Sequence, residues 1–307
     1  MTIITTMVKL FTAMIVGIFV GKKDIIDAET SKRISKLIVD IANPALIIAS
    51  VTSIQGADVK SVLSALIFGL IIYAILPFVA FGYAKGIKAP KNLTGTFMLT
   101  VLLCNNSFMG FPVVQALLGD KAIFYDVVIH FGFNILFYTV GINLVKRDAA
   151  DGKQEKWNPL SLINTGTVAT LTVLIVFLSG ANVPEIVTEP LSFVGNLSMP
   201  MSMIIIGANI SRHSLKDILK DKKVYLTAVM RLVIVPFLIW LAASTFVGDV
   251  FVVRVATLTF AMPVAAIVAM STAPYEEQGE VASVAVAFTT LCSLITIPMW
   301  AMFLGLR

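Results

Sequence analysis

The chain has 307 residues, of which 58% are hydrophobic and only 13% are charged. A soluble domain carries about 25% charged residues and no long apolar runs, so this composition excludes an ordinary soluble protein. The net charge of +5 does not indicate nucleic-acid binding, because the excess of Lys and Arg lies in short segments between apolar runs.

Apolar runs recur along the whole chain, and each is long enough to cross a hydrocarbon core of roughly 30 Å as a helix. They lack the alternating polarity of a membrane-spanning β-barrel. The predicted fold is therefore an all-α polytopic membrane protein with ten transmembrane helices. The predicted spans are residues 3–20, 34–54, 62–84, 94–117, 123–145, 160–179, 191–210, 224–246, 252–273 and 281–304.

The first run is predicted to be a true span and not a cleavable signal peptide, because no basic segment precedes it and Lys22 and Lys23 follow it. The even-numbered loops hold just Lys60, Lys121 and Arg254, whereas the odd-numbered loops carry most of the other basic residues. By the positive-inside rule, the odd loops face the cytoplasm. We therefore expect a multi-pass protein of the cytoplasmic (inner) membrane with both termini extracytoplasmic.

The two halves of the chain, residues 1–150 and 151–307, resemble each other. Four pairs of residues recur in the same order at separations of 156 to 159 positions: Gly21 with Gly180, Pro44 with Pro200, Pro77 with Pro236, and Cys104 with Pro263. Five spans in each half would invert the second half relative to the first. Inverted repeats of this kind occur in many secondary transporters.

The fourth span contains the segment CNNSFMGFP, which begins at Cys104. Asn105 and Asn106 lie near its middle, where polar side chains are costly unless they find partners. Gly110 and Pro112 follow, and proline removes a backbone donor. The pattern predicts that this helix is interrupted.

The ninth span carries Pro263 and Val264 near its middle, opposite Cys104 in the repeat. Two broken helices of opposite orientation would present half-helix ends to each other at the same depth. Helix N-termini carry partial positive charge and free N–H groups, so they attract anions without an arginine. The predicted substrate-binding residues are Cys104, Asn105, Asn106, Gly110, Pro263 and Val264.

Four other polar residues inside predicted spans are candidates for coupling or for the cavity wall. His130 is either a proton relay or a hydrogen-bonded link between helices, and Asn134 lies one turn further on. Arg231 either faces the cavity or snorkels to the cytoplasmic surface. Asn43, which precedes a proline, either lines the cavity or marks a kink.

The sequence lacks the signatures of an enzyme. It contains no Walker A motif, no H-E-x-x-H and no G-x-S-x-G. The two cysteines, Cys104 and Cys292, indicate neither a disulfide framework nor a metal site. We therefore predict a protein that is not an enzyme and needs no cofactor or metal.

Several segments resemble the auxin efflux carrier family, which includes plant PIN proteins and prokaryotic organic-anion permeases. They are NPALIIASV at 43–51, NNSFMGFPVVQALLG at 105–119, MRLVIVP at 230–236, MPVAAIVAMSTAPYEEQ at 262–278 and SLITIP at 293–298. The resemblance implies an elevator-type secondary transporter. Spans 1, 2, 6 and 7 would form a dimeric scaffold, and spans 3–5 and 8–10 would form the moving transport domain.

The resemblance also implies that spans four and nine cross at the membrane midplane beside the substrate carboxylate. Plant members carry a proline in both crossing helices, whereas this chain has Cys104 at the first position and keeps Pro263. The long cytoplasmic loop of many plant PINs is absent. A small organic anion is therefore the expected substrate and partner, together with the bilayer and a second copy of the chain, and nucleic acid is not.

Two alternatives stay open. The same pocket would also serve a membrane sensor or receptor that does not transport. A sodium-coupled symporter of the bile-acid type would need an acidic or polar ion cage beside the crossing. Asn106, Ser107 and Thr259 are the candidates for such a cage, and no midplane carboxylate is predicted.

Overall fold

The computed structural model describes residues 3–54, 57–149, 162–212 and 222–306. This part of the chain is helical and contains no strand beyond one isolated β-bridge. Within these described ranges, seven helical stretches are long and apolar enough to cross a membrane. They are Thr5–Lys22, Ala28–Ile54, Val59–Gly86, Lys121–Asp148, Glu185–Ile210, Lys222–Phe246 and Glu276–Phe303. The prediction of an all-α polytopic membrane protein agrees with this architecture.

The helices are numbered in chain order. They are α1 (Ile3–Lys22), α2 (Ala28–Leu37), α3 (Asn43–Ala49), α4 (Val59–Gly86), α5 (Thr94–Leu102), α6 (Phe111–Leu118), α7 (Lys121–Ile129), α8 (Phe131–Leu136), α9 (Ile142–Asp148), α10 (Thr165–Ser179), α11 (Glu185–Gly195), α12 (Ser198–Ile210), α13 (Lys222–Val229), α14 (Val235–Phe246), α15 (Val250–Phe260), α16 (Ala266–Thr272) and α17 (Glu276–Phe303).

Three of the predicted spans are not among the seven long helices. The fourth is divided into α5 and α6, and the ninth into α15 and α16. The sixth is α10, which has 15 residues and corresponds to a predicted span that begins at residue 160, outside the described residues. The total of ten spans and the inverted repeat therefore remain predictions.

Prolines explain why three of the helical stretches contain a π-turn. The segments Ile38–Ala42, Asn106–Gly110 and Met230–Ile234 each end two residues before a proline. A proline ring clashes with the carbonyl four residues earlier and offers no N–H. In each case the residue before the proline donates its N–H five residues back, as in Asn43 to Ile38 and Phe111 to Asn106. These widened turns hold Asn106 and Arg231 and adjoin Asn43.

Helices α1 and α12 pack closely against each other. Gly17 lies against the backbone of Ile204, and Gly207 lies against the backbone of Met14, so that a methyl group at either glycine would overlap a carbonyl oxygen. Small residues allow membrane helices to approach closely and to gain van der Waals contact. Helix α3 packs against α10 and α11 in the same region.

Candidate functional site

The two broken helices meet at their interruptions. Cys104 and Val264 form an isolated antiparallel bridge. Asn105 N donates to Pro263 O at 2.8 Å, and Ala265 N donates to Leu103 O at 2.9 Å. Backbone groups freed inside a membrane need internal partners, and each break supplies them for the other. We call the paired segments 103–105 and 261–265 the crossing.

Arg231 holds the crossing in place from the π-turn before α14. Its side chain is completely buried. Nε donates to Met262 O, Nη1 to Val101 O and Nη2 to Phe260 O, each at 3.0 Å. Carbonyls at helix C-termini lack intrahelical partners and carry partial negative charge, so this cation satisfies the ends of α5 and α15 together. Arg231 therefore neither lines the cavity nor snorkels to the surface, contrary to both expectations.

A cavity of about 570 Å³ reaches the crossing from one face of the protein. Its inner wall carries the polar side chains of Asn105, Asn106, Ser107, His130 and Asn134 and the thiol of Cys104, among apolar side chains such as Phe108 and Phe133. Its outer part carries basic side chains, Lys32, Arg33 and Lys36, together with the acidic side chains of Glu29 and Asp40. The cavity thus combines polar side chains at its inner end with a mouth that carries one net positive charge.

Asn105 is shared between this cavity and a smaller one. The second cavity has about 180 Å³ and is lined by Asn105 and Phe108 together with Asn209, Arg212 and Thr290. Asn105 is buried, with only 3% of its surface exposed, and its backbone is fixed by the bond to Pro263. Asn105 therefore lies at the boundary between the two cavities.

A buried carboxylate lies beside the crossing, contrary to the sequence prediction. Asp126 of α7 is completely buried. Thr259 Oγ1 donates to its Oδ1 at 2.7 Å. The amide of Asn106, oriented to satisfy both groups, places Nδ2 2.9 Å from Asp126 Oδ2. The sequence signal was the spacing of Asp126 and His130, four residues apart on one helical face within an apolar run.

His130 lies between the carboxylate and the crossing. Its Nδ1 is 3.3 Å from Asp126 Oδ1, in ion-pair range although not aligned as a hydrogen bond. Its Nε2 is 3.0 Å from Cys104 Sγ. The ring of Tyr73 packs edge-on at 5.6 Å between centroids. His130 therefore joins the fifth predicted span to the break in the fourth.

Asn43 and Asn134 connect the cavity wall to neighbouring helices. Asn43 Nδ2 donates to Ser107 O at 3.0 Å, and its Oδ1 accepts a short hydrogen bond from Ser198 Oγ. Asn134 Nδ2 donates to Thr167 Oγ1 at 3.0 Å. The Asn43 amide thus connects α3 to α12 and to the segment after the crossing, and the Asn134 amide connects α8 to α10.

The structure brings six of the candidate residues to the cavity wall: Cys104, Asn105, Asn106, His130, Asn134 and Asn43. Gly110, Pro263 and Val264 are buried away from it. Pro263 and Val264 contribute backbone atoms to the crossing. Gly110 lies under the Asn106 amide, where a methyl group would overlap that side chain.

Comparison with known proteins identifies the family. A family model described as membrane transport protein matches residues 2–301. An uncharacterized transporter of Methanocaldococcus jannaschii is 26% identical over 213 residues, which cover 66% of this chain and 67% of the relative. The match agrees with the resemblance to auxin efflux carriers. The chain is a membrane transporter that belongs to the membrane transport protein family, the auxin efflux carrier family of the sequence analysis.

Proposed function

We propose that the protein is a secondary active transporter of small organic anions, most simply carboxylates. The observation that carries the proposal is the cavity of about 570 Å³ that ends at the crossing. Its volume suits a small molecule, since ligand pockets typically measure about 300–1,000 Å³. The cavity is also too small for a macromolecular ligand.

The polar groups of the cavity favour an anion over a neutral or cationic substrate. Asn105 offers an amide donor, and the helical segment that begins at Asn106 starts beside the cavity. Lys32 and Lys36 at the mouth would raise the local concentration of anions and guide them inward. A carboxylate held by neutral donors at the crossing would still be released easily, as transport requires.

We further propose an elevator-type mechanism, with ten spans in two inverted repeats and with both termini extracytoplasmic. The close packing of α1 with α12, and of α3 with α10 and α11, supports a scaffold built from spans 1, 2, 6 and 7. Spans 3–5 and 8–10 would move as the transport domain. The scaffold would also form a homodimer in the cytoplasmic membrane.

The buried Asp126 supports one alternative function, that of a sodium-coupled symporter of the bile-acid type. Its carboxylate and the Thr259 hydroxyl supply oxygen atoms beside the crossing. Oxygen ligands are those that hard cations prefer. In such a symporter, a sodium gradient would drive uptake of the anion. A membrane sensor, the other alternative, would bind the anion without transporting it.

Flux measurements on purified protein test the proposal. A thermal-shift screen of small mono- and dicarboxylates would identify ligands, and their uptake would be followed in proteoliposomes against protein-free liposomes. Transport requires saturable uptake that depends on the protein. Binding without uptake would instead support a sensor, and uptake that needs a sodium gradient would support the alternative symporter.

A further inference from the structure

The carboxylate of Asp126 is surrounded by hydrogen-bond donors. Thr259 donates to it at 2.7 Å, and the Asn106 amide lies 2.9 Å away. Both donors place partial positive charge next to the carboxylate oxygens. Among the described residues, His130 is the basic side chain within ion-pair distance of Asp126. A buried charge needs a partner, and this imidazole is the group that can become one.

His130 is also the member of the pair that the cavity reaches. It lines the cavity wall, whereas Asp126 is completely buried behind it. When Nδ1–H points toward Asp126, Nε2 is free to accept either the thiol hydrogen of Cys104 or a proton from the cavity. Uptake of one proton converts the imidazole to an imidazolium and changes the charge of the pair from −1 to zero.

We infer that Asp126 and His130 form a proton-binding site that couples proton movement to anion movement. Proton binding by the pair can be measured without a substrate. The coupling of that proton to anion movement rests on the proposed function. The link to the anion is Asn106, which lines the cavity and bonds to Asp126. A carboxylate at the crossing would be repelled by a pair of charge −1 and not by a neutral pair, so the anion and the proton would bind together.

Three other titratable or charged groups face this site. Tyr73 contributes its ring from α4, and Cys104 contributes its thiol from the crossing. Arg231 bonds to carbonyls beside both breaks. Arg231 keeps its positive charge, because a guanidinium is not deprotonated in proteins, and each of its three nitrogens donates to a backbone oxygen. His130 is therefore the group among these whose charge changes most readily near neutral pH.

Direct observation of the imidazole tests proton binding. The chain contains two histidines, so His213→Asn leaves His130 as a single reporter for nitrogen NMR of protein labelled at histidine. We expect its signal to titrate between about pH 5 and 9, and its proton occupancy at pH 7 to fall in Asp126→Asn. An imidazole that stays neutral throughout this range, or one that is unaffected by Asp126→Asn, would overturn the inference.

Proteoliposomes test the coupling. With lactate and succinate as probes, we expect an inward proton gradient to drive uptake and a pH-sensitive dye to report proton entry with the anion. The affinity for these anions should be about tenfold higher at pH 6 than at pH 8. His130→Asn should abolish the pH dependence, and the matched His213→Asn should keep it. Equal pH dependence in His130→Asn and His213→Asn would overturn the coupling but would not contradict the proposed anion transport. A titrating His130 in protein that moves neither probe would support the proton site and count against the proposed function.

Discussion

Arg231 Nη1 donates to the backbone oxygen of Val101 at 3.0 Å and thereby caps the half-helix α5 at its interruption. The same guanidinium caps α15 through Phe260. One cation thus satisfies carbonyls from both broken helices. A lysine would present a point charge in place of the planar fork of donors, so it would not reproduce this arrangement.

We predict that Arg231→Met destabilises the protein by about 3 kcal/mol or more, because three buried carbonyls lose their donor at about 1–3 kcal/mol each. Thermal unfolding in detergent and monodispersity would measure the loss. The matched control is Arg33→Met, at an exposed side chain whose ion pair with Glu29 should contribute little. Equal stability of the two variants would contradict the capping role.

We predict that Asn105→Ala weakens carboxylate binding by about tenfold to a hundredfold, because a hydrogen bond to a charged acceptor contributes roughly 1.5–3 kcal/mol. Folding should survive, since the bond from Asn105 to Pro263 involves the backbone. Asn105→Asp should weaken carboxylate binding further, because it places a second negative charge near the anion. Normal affinity and uptake in Asn105→Ala would mean that the binding site lies elsewhere.

We predict that Gly207→Ala lowers the stability by about 1–3 kcal/mol, because its methyl group would overlap the backbone oxygen of Met14. The control is Gly82→Ala within α4, where no atom lies within 4 Å of the added methyl group. Alanine favours a helix over glycine, so the control should be neutral or slightly stabilising. Apparent melting temperatures of Gly207→Ala and Gly82→Ala would measure the difference in stability.

We predict that Asn43→Ala shifts the conformational equilibrium away from the form described here. The bond from Asn43 Nδ2 to Ser107 O joins the proposed scaffold to the crossing, and movement of the transport domain would break it. Loss of about 1 kcal/mol corresponds to a population change of about fivefold. Labelling of a cysteine at Ala266, in the cavity wall, should slow from the mouth side. Unchanged labelling would make Asn43 a purely local packing residue.

We predict that Lys91→Cys reacts with an impermeant thiol reagent only after cell lysis, whereas Asn182→Cys reacts in intact cells. Both positions are exposed and lie in loops of opposite predicted side. Cys104→Ala and Cys292→Ala would remove background labelling. The reverse pattern would overturn the orientation, and labelling of both from outside would overturn the count of spans between them.

The amino-acid sequence alone was enough to predict a helical, membrane-embedded chain with interruptions in the segment 104–112 and near Pro263. These features depend on local chemistry. Apolar length fixes whether a segment can span a bilayer, and proline removes a backbone donor wherever it stands. The family followed from short segments around the same prolines and amides.

The contacts between side chains from distant parts of the chain became known from the three-dimensional structure. Asp126 lay close to the start of a predicted span, and nothing local indicated that Thr259, 133 residues further on, would donate to it. The carbonyl partners of Arg231 could likewise not be predicted, because every residue has a backbone oxygen and its role leaves no mark in the sequence. Polar groups inside a membrane must find partners, but the sequence does not specify which ones. Those long-range pairings arise when the two broken helices pack together.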